Sequence, residues 1–286
     1  MLNTIGRGSV SKVFLVREKS DGSLFAMKAM GKNVILEHDL LEAIHSEKTI
    51  LQGNKHPFLA GVEYVFQSET KVYFVMKFYR GGDLFFHLSN AQRMPEDTVR
   101  FYAMQIAMAL GDLHSRNILY RDQKTENILM DEHGYVSITD FGTSKILKKP
   151  DEVTKSFVGC ADYLAPELLS SKGYSFAVDW WGLGTLTYEL IVGRTPFFVQ
   201  DDQEKMYKKI RRNDVIFPDA EKHKIAMSED CKDFIFRLLD KDPDTRLGSK
   251  GVKEVLKHPW FKKIDQAAIL AKQVEAPFVP EKVDEF

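Results

Sequence analysis

The residues with the clearest capacity for chemistry lie in Tyr120-Arg121-Asp122-Gln123-Lys124-Thr125-Glu126-Asn127, followed by the apolar triplet Ile128-Leu129-Met130. An Asp and an Asn five residues apart on one loop can divide two tasks. The Asp122 carboxylate can orient an attacking hydroxyl and accept its proton, while the Asn127 amide oxygen ligates Mg²⁺. Lys124 can neutralise charge on a phosphoryl group in transfer. Thirteen residues after Asn127 comes Asp140-Phe141-Gly142, at the end of the alternating run Tyr135–Thr139. Asp140 there is placed to bind a Mg²⁺ that bridges phosphates. Phe141 would pack inward and Gly142 would free the loop. Ala165-Pro166-Glu167 lies 25 residues further on.

Two upstream segments fit the same chemistry. Gly6-Arg7-Gly8-Ser9-Val10-Ser11-Lys12-Val13 puts glycines between two strands, so backbone N–H groups approach phosphate oxygens with no Cβ in the way. Alone, that stretch reads equally as a turn shaped by sterics. Lys28, in Phe25-Ala26-Met27-Lys28, lies 15 residues after Val13 on the paired strand. Its ammonium would reach the α- and β-phosphates. The counter-charge is an acid on the following helix. Glu47 is the first choice, with Glu37 and Glu42 as alternatives.

The elements that must hold these residues follow from periodicity. Ser9–Arg17 and Ser23–Met30 are rich in β formers and flank Ser20-Asp21-Gly22, a hairpin signal. A helix is expected over about Glu37–Gln52, then strands near Gly61–Phe66 and Val72–Phe78. Helical texture dominates from Met94, where Pro95 and Glu96 suit a first turn. Val99, Ala103, Ile106, Leu110 and Leu113 then recur at helical spacing. Short strands are expected at Ile128–Met130 and Val136–Thr139, with helices again after Tyr174. A small β-rich lobe and a larger helical lobe, joined through Lys77–Gly82, leave a cleft where a ligand would sit.

Composition sets limits on partners. The 286 residues carry 40 basic and 41 acidic side chains, a net charge of -1, which favours neither nucleic acid nor a membrane surface. Cys160 and Cys231 are the only cysteines, which fits a reduced, cytoplasmic protein. No apolar run is long enough to span a bilayer. A monomer is expected.

The order of glycine loop, strand Lys, helix Glu, Asp/Asn loop, Asp-Phe-Gly and Ala-Pro-Glu is that of the protein kinase signature set. Within it, the sequence resembles the AGC group of serine/threonine kinases. The resemblance is carried by Tyr120, by Ser156-Phe157-Val158-Gly159 before Tyr163-Leu164-Ala165-Pro166-Glu167, and by Val178-Asp179-Trp180-Trp181-Gly182-Leu183-Gly184. Pro196-Phe197-Phe198, Asp242-Pro243-Asp244-Thr245-Arg246-Leu247-Gly248 and Glu275-Ala276-Pro277-Phe278-Val279-Pro280 extend it.

The resemblance implies an α+β bilobal fold, with a small antiparallel N-lobe over residues 1–79, a mainly helical C-lobe over 80–265 and the start of an AGC-type tail over 266–286. It implies ATP and Mg²⁺ as cofactors. Asp122 would be the catalytic base beside Lys124, Lys28 would pair with Glu47, and Asn127 and Asp140 would hold Mg²⁺. Ile5, Gly6, Gly8, Ser9 and Thr139 would belong to the nucleotide site, with Val13, Ala26, Met76 and Leu129 around adenine and Asp83 at the ribose. Glu167 and Arg246 would form a buried ion pair, and Asp179 would brace the catalytic loop. Leu51, Val62, Tyr120 and Phe141 would stack as a regulatory spine. Ser156 matches the activation-loop phosphorylation site, with Arg121 and Lys145 to hold its phosphate and an upstream kinase to install it. Asp83, Glu126 and Glu189 match positions that hold substrate arginines, so protein substrates with Arg two or three residues before the Ser or Thr are expected.

Several positions depart from the pattern. Val10 and Ser11 replace the aromatic tip and third glycine of the loop, Gln123 and Thr125 replace Leu and Pro, and Lys77 takes a usually acidic position. Ala161 and Asp162 replace Pro and Glu. Cys160 replaces a Thr whose hydroxyl contacts the catalytic Asp and Lys, and a thiol is the weaker donor. The rival reading is a pseudokinase, a nucleotide-binding scaffold without turnover. Retention of Lys28, Asp122, Asn127 and Asp140 favours the enzyme. The chain starts inside the first strand, and the hydrophobic phosphorylation motif of AGC tails is not among its residues. An excised domain, or unusual regulation, is therefore expected.

Overall fold

The computed structural model describes residues 2–8, 10–170 and 172–281. Ser9, one of the expected nucleotide-site residues, lies outside them, as do the last five residues of the expected tail. Strands β1 (Thr4–Arg7), β2 (Ser11–Arg17) and β3 (Leu24–Gly31) open the fold. The β2–β3 turn is the one signalled by Ser20-Asp21-Gly22. Asp21 accepts hydrogen bonds from the Ser23 N–H at 2.9 Å and the Ser23 O–H at 2.8 Å, and Gly22 takes φ of 80°. That left-handed conformation costs glycine little.

The single helix expected over Glu37–Gln52 is two: α1 (Lys32–Glu37) and α2 (Leu41–Gly53). The break is a Schellman-type end. Asp39 adopts φ of 52°, its N–H bonds the Leu36 carbonyl at 3.3 Å, and the Leu40 N–H returns to the Ile35 carbonyl at 2.9 Å. Such ends usually carry glycine, and Asp is among the few other residues that tolerate this conformation. The usual stop signal is therefore missing from the sequence.

Strands β4 (Val62–Gln67) and β5 (Lys71–Lys77) complete a five-stranded antiparallel sheet in the order β1-β2-β3-β5-β4. Its register places Val13 opposite Lys28, and Ala26 opposite Met76. Partners across a ladder share a face, and so do residues two apart. Val13, Ala26, Lys28 and Met76 thus lie on one side of the sheet.

The helical half starts earlier than Met94. Helix α3 (Leu84–Ala91) is capped by Asp83, whose carboxylate accepts from the Phe86 N–H at 2.7 Å. Helix α4 (Glu96–Ser115) follows Pro95 as expected, with Val99, Ala103, Ile106, Leu110 and Leu113 all buried. Two short ladders come next, one of β6 (Ile118–Leu119) with β9 (Lys145–Ile146), the other of β7 (Ile128–Met130) with β8 (Val136–Ile138). Helix α5 (Ala177–Val192) is buried on almost every side. Helices α6 (Gln203–Arg212), α7 (Ala220–His223), α8 (Glu229–Leu238), α9 (Val252–Leu256) and α10 (Gln266–Leu270) follow, with α8 packed on α5 and α9 and α10 on α4.

This is the bilobal α+β arrangement expected. One hydrophobic core runs from α4 and α5 up to Ile50 and Leu51 of α2, with Phe141 inside it and Val62 packed against it. The Glu167–Arg246 pair is bidentate, at 2.6 and 2.9 Å, and Arg246 is fully buried.

Candidate active site

Lys28 projects from β3 and donates to Glu47 Oε1 at 2.6 Å and to Asp140 Oδ1 at 3.2 Å. Glu47 is buried on α2, on the same helical face as Ile50 and Leu51, while the alternatives Glu37 and Glu42 are exposed. Burial alone would push Lys28 toward its neutral form, but Glu47 and Asp140 outweigh it and hold the lysine above its ordinary range. Burial likewise raises Asp140, and Lys28 more than reverses the effect. Asp140 takes φ of 54°, a left-handed backbone that turns its half-exposed carboxylate toward Lys28, while Phe141 is fully buried with its ring edge on Tyr120.

The catalytic-loop residues form a second knot. Asn127 Nδ2 donates to the Asp122 carbonyl and to Asp122 Oδ2, both at 2.8 Å, and Lys124 Nζ reaches the same Oδ2 at 2.9 Å. With its amide N–H groups engaged by Asp122, Asn127 keeps its Oδ1 as an acceptor. Lys124 lies in the field of both Asp122 and Asp140, which ties the two knots together. Asp179 holds the loop from α5. Its carboxylate accepts from the Tyr120 N–H at 3.0 Å, the Arg121 N–H at 2.8 Å and His114 Nε2 at 2.8 Å. Arg121 can meet it only with φ of 71°.

Val13, Ala26 and Met76 share the sheet face that carries Lys28. Leu129 bridges Asp83 across the short β7 ladder, and the Gly81 N–H bonds the Met130 carbonyl at 2.9 Å. A Cβ on Gly81 would stand 2.7 Å from that carbonyl, so glycine is needed for the close approach. Thr139 donates to the Asn127 carbonyl, and its own carbonyl accepts from Tyr120 at 2.7 Å. Gly6 packs near Val13, the Gly8 N–H bonds the Ser11 carbonyl at 2.9 Å, and Ile5 is exposed.

The activation segment folds against the loop. Arg121 donates to Ser156 Oγ at 2.6 Å, to the Tyr174 hydroxyl at 3.1 Å and twice to the Thr143 carbonyl. Lys145 donates to Thr154 Oγ1, which lies 3.2 Å from Ser156 Oγ. Tyr174, Thr143 and Thr154 carry no signal of this role in the sequence. Tyr174 and Thr154 arrive through the isolated bridge between them, and Thr143 through its backbone carbonyl alone. Glu189, on α5, accepts from the Tyr163 hydroxyl, and burial pushes its carboxyl up to about 7, helped by Glu126 and Asp162 nearby. Glu126 is exposed and accepts from Thr125 Oγ1 at 3.2 Å. Cys160 makes no hydrogen bond to Asp122 or Lys124 among the described residues, and burial raises its thiol.

Residues 1–261 match the protein kinase domain family. The chain belongs to that family. It is 44% identical over 280 residues to protein kinase 2 of Dictyostelium discoideum, covering 98% of this chain and 57% of that protein. It is 42% identical to the RAC family serine/threonine-protein kinase homolog of the same organism, covering 98% and 61%. It is 40% identical to the RAC-beta serine/threonine-protein kinase of Homo sapiens, covering 99% and 58%. The chain thus spans less than two thirds of these relatives. The RAC-type kinases they represent agree with the AGC resemblance carried by the motifs. Kinases of this family use ATP and Mg²⁺.

The residues present fit that pair. Among the described residues, no three His, Cys, Asp or Glu side chains gather into a metal-holding group. Mg²⁺ beside a nucleotide is commonly held by one or two protein ligands plus substrate phosphates. Asp140, and Asn127 Oδ1, which accepts no hydrogen bond among the described residues, supply ligands of the right kind. Among the described residues, no helix is long and apolar enough to cross a membrane.

Proposed function

We propose that this kinase domain transfers the γ-phosphate of ATP to Ser or Thr in proteins with Arg upstream of the acceptor, and that phosphorylation of Ser156 by another kinase raises its activity. The observation that carries the reading is the joint cluster of Lys28, Glu47 and Asp140 with Asp122, Lys124 and Asn127. Lys28, kept cationic by two carboxylates, suits the α- and β-phosphates. Mg-ATP, when bound, would supply the phosphoryl group and a cation that offsets its charge, and Asn127 and Asp140 would hold that cation. Asp122 orients the substrate hydroxyl and accepts its proton. Lys124 offsets charge on the group in flight. Val13, Ala26, Met76 and Leu129 enclose the adenine, with Asp83 at the ribose and Ile5, Gly6, Gly8 and Thr139 at the rim.

Substrate choice rests on Asp83, Glu126 and Glu189, carboxylates suited to the fork of Arg. A phosphate on Ser156 would meet Arg121 directly and Lys145 through the Thr154 side. The test is an arrayed peptide library with Mg-ATP. The reading expects signal concentrated on Ser/Thr peptides with Arg two or three residues upstream. Signal indifferent to Arg would overturn the specificity assignment.

A further inference from the structure

Gln123 sits between Asp122 and Lys124 and is 3% exposed. Its Nε2 donates to the Asp179 carbonyl at 2.8 Å, while its Oε1 is buried and has no hydrogen-bond partner among the described residues. A Cβ added at Gly182 would stand 2.7 Å from that Oε1 and 2.9 Å from Cδ, so the amide lies flat against α5 where only glycine admits it. The cavity beside it, lined also by Arg121, Cys160 and Tyr163, holds about 10 Å³. That is at most the volume of one water, so the amide is no ligand-binding group there.

The geometry points to Gln123 as a positioning residue for Asp122. Asp179 takes Tyr120 and Arg121 with its carboxylate and Gln123 with its carbonyl. One residue of α5 therefore fixes the chain on both sides of Asp122. The Leu that the family resemblance leads one to expect here has no such tether. Cys160 gives Asp122 and Lys124 no hydrogen bond, and the Gln123 strut takes up part of that lost restraint. For stability alone the site favours an apolar side chain, because an unpartnered buried acceptor is costly. The amide contributes geometry instead.

This inference rests on the kinase reading for its kinetic test but has a second readout that does not. Gln123→Leu and the unbranched Gln123→Met are compared with the parent chain. Both should lower kcat about tenfold, with KM for ATP and peptide changed less than about twofold and Tm equal or higher. Amide hydrogen exchange over residues 121–125 should speed up while the rest of the chain is unchanged. Full kcat with unchanged exchange, or a kcat loss that tracks a Tm loss, overturns the assignment. If the parent chain itself shows no turnover, the kinase reading fails, and the exchange rates alone decide the role of Gln123.

Discussion

Glu189 carries two opposed demands in one carboxyl. Burial beside Tyr163 favours its neutral form, whereas the proposed contact with a substrate arginine needs the carboxylate. With the group near 7, kcat/KM for an Arg-containing peptide should rise by up to about tenfold from pH 6 to 8, and Glu189→Gln should flatten that rise. Stability runs the other way. The folded value lies above the ordinary 4.5, so the contribution is complete below that value and is lost as pH rises through about 7. Glu189→Gln should accordingly raise Tm at pH 8 and leave it unchanged at pH 4, by scanning calorimetry. Arg121 supports a further prediction. Phosphorylation of Ser156 should raise kcat, and Arg121→Ala should remove most of that gain, because the guanidinium already holds Ser156 Oγ. Residues such as Asp122, Asn127 and Lys28 were legible because spacing within a local segment encodes them. The choice of Glu47 over Glu37 and Glu42 was legible in part, from its three- and four-residue spacing to Ile50 and Leu51. Tyr174 and Asp162 were not, since their roles come from distant parts of the chain meeting.

At the scale of elements, the departures from expectation have local causes. Helix α1 has no side-chain N-cap at Gly31 and ends on Asp39 rather than glycine, so neither terminus carries its usual signal. Asp83 is both a candidate ribose ligand and the N-cap of α3, and its type alone does not separate the two roles. Strands β2 to β5, β7 and β8 and helix α4 were legible, since alternation and the Val99–Leu113 stripe report burial directly, whereas β6 and β9, two residues each, are too short to show a pattern. The strongest link among the later elements is Glu167–Arg246, which pins the Pro166–Leu169 turn to the segment after α8. Removing one partner leaves a buried charge without its mate. Glu167→Ala should therefore destabilise the fold by about 3–5 kcal/mol, read from urea unfolding. A loss below about 1 kcal/mol would mean that Arg246 is satisfied by the Ala177 and Asp240 carbonyls it also meets.

For the whole molecule, the sheet delivers Lys28, helix α2 delivers Glu47, and the helical half delivers Asp122, Asn127 and Asp140. Their meeting makes the active arrangement a property of how the two halves close. The Lys28–Glu47 bond at 2.6 Å joins the sheet to α2, and Phe141, next to Asp140, is fully buried. The central claim is that this closed cluster performs phosphoryl transfer. Its most direct test is steady-state transfer from Mg-ATP to an Arg-containing Ser peptide by the chain phosphorylated on Ser156, beside its Asp122→Asn variant. The account predicts turnover by the parent and a loss of about 10²-fold or more in the variant, with Mg-ATP affinity unchanged. A parent chain that binds Mg-ATP yet transfers nothing, or an Asp122→Asn variant as fast as the parent, would contradict it.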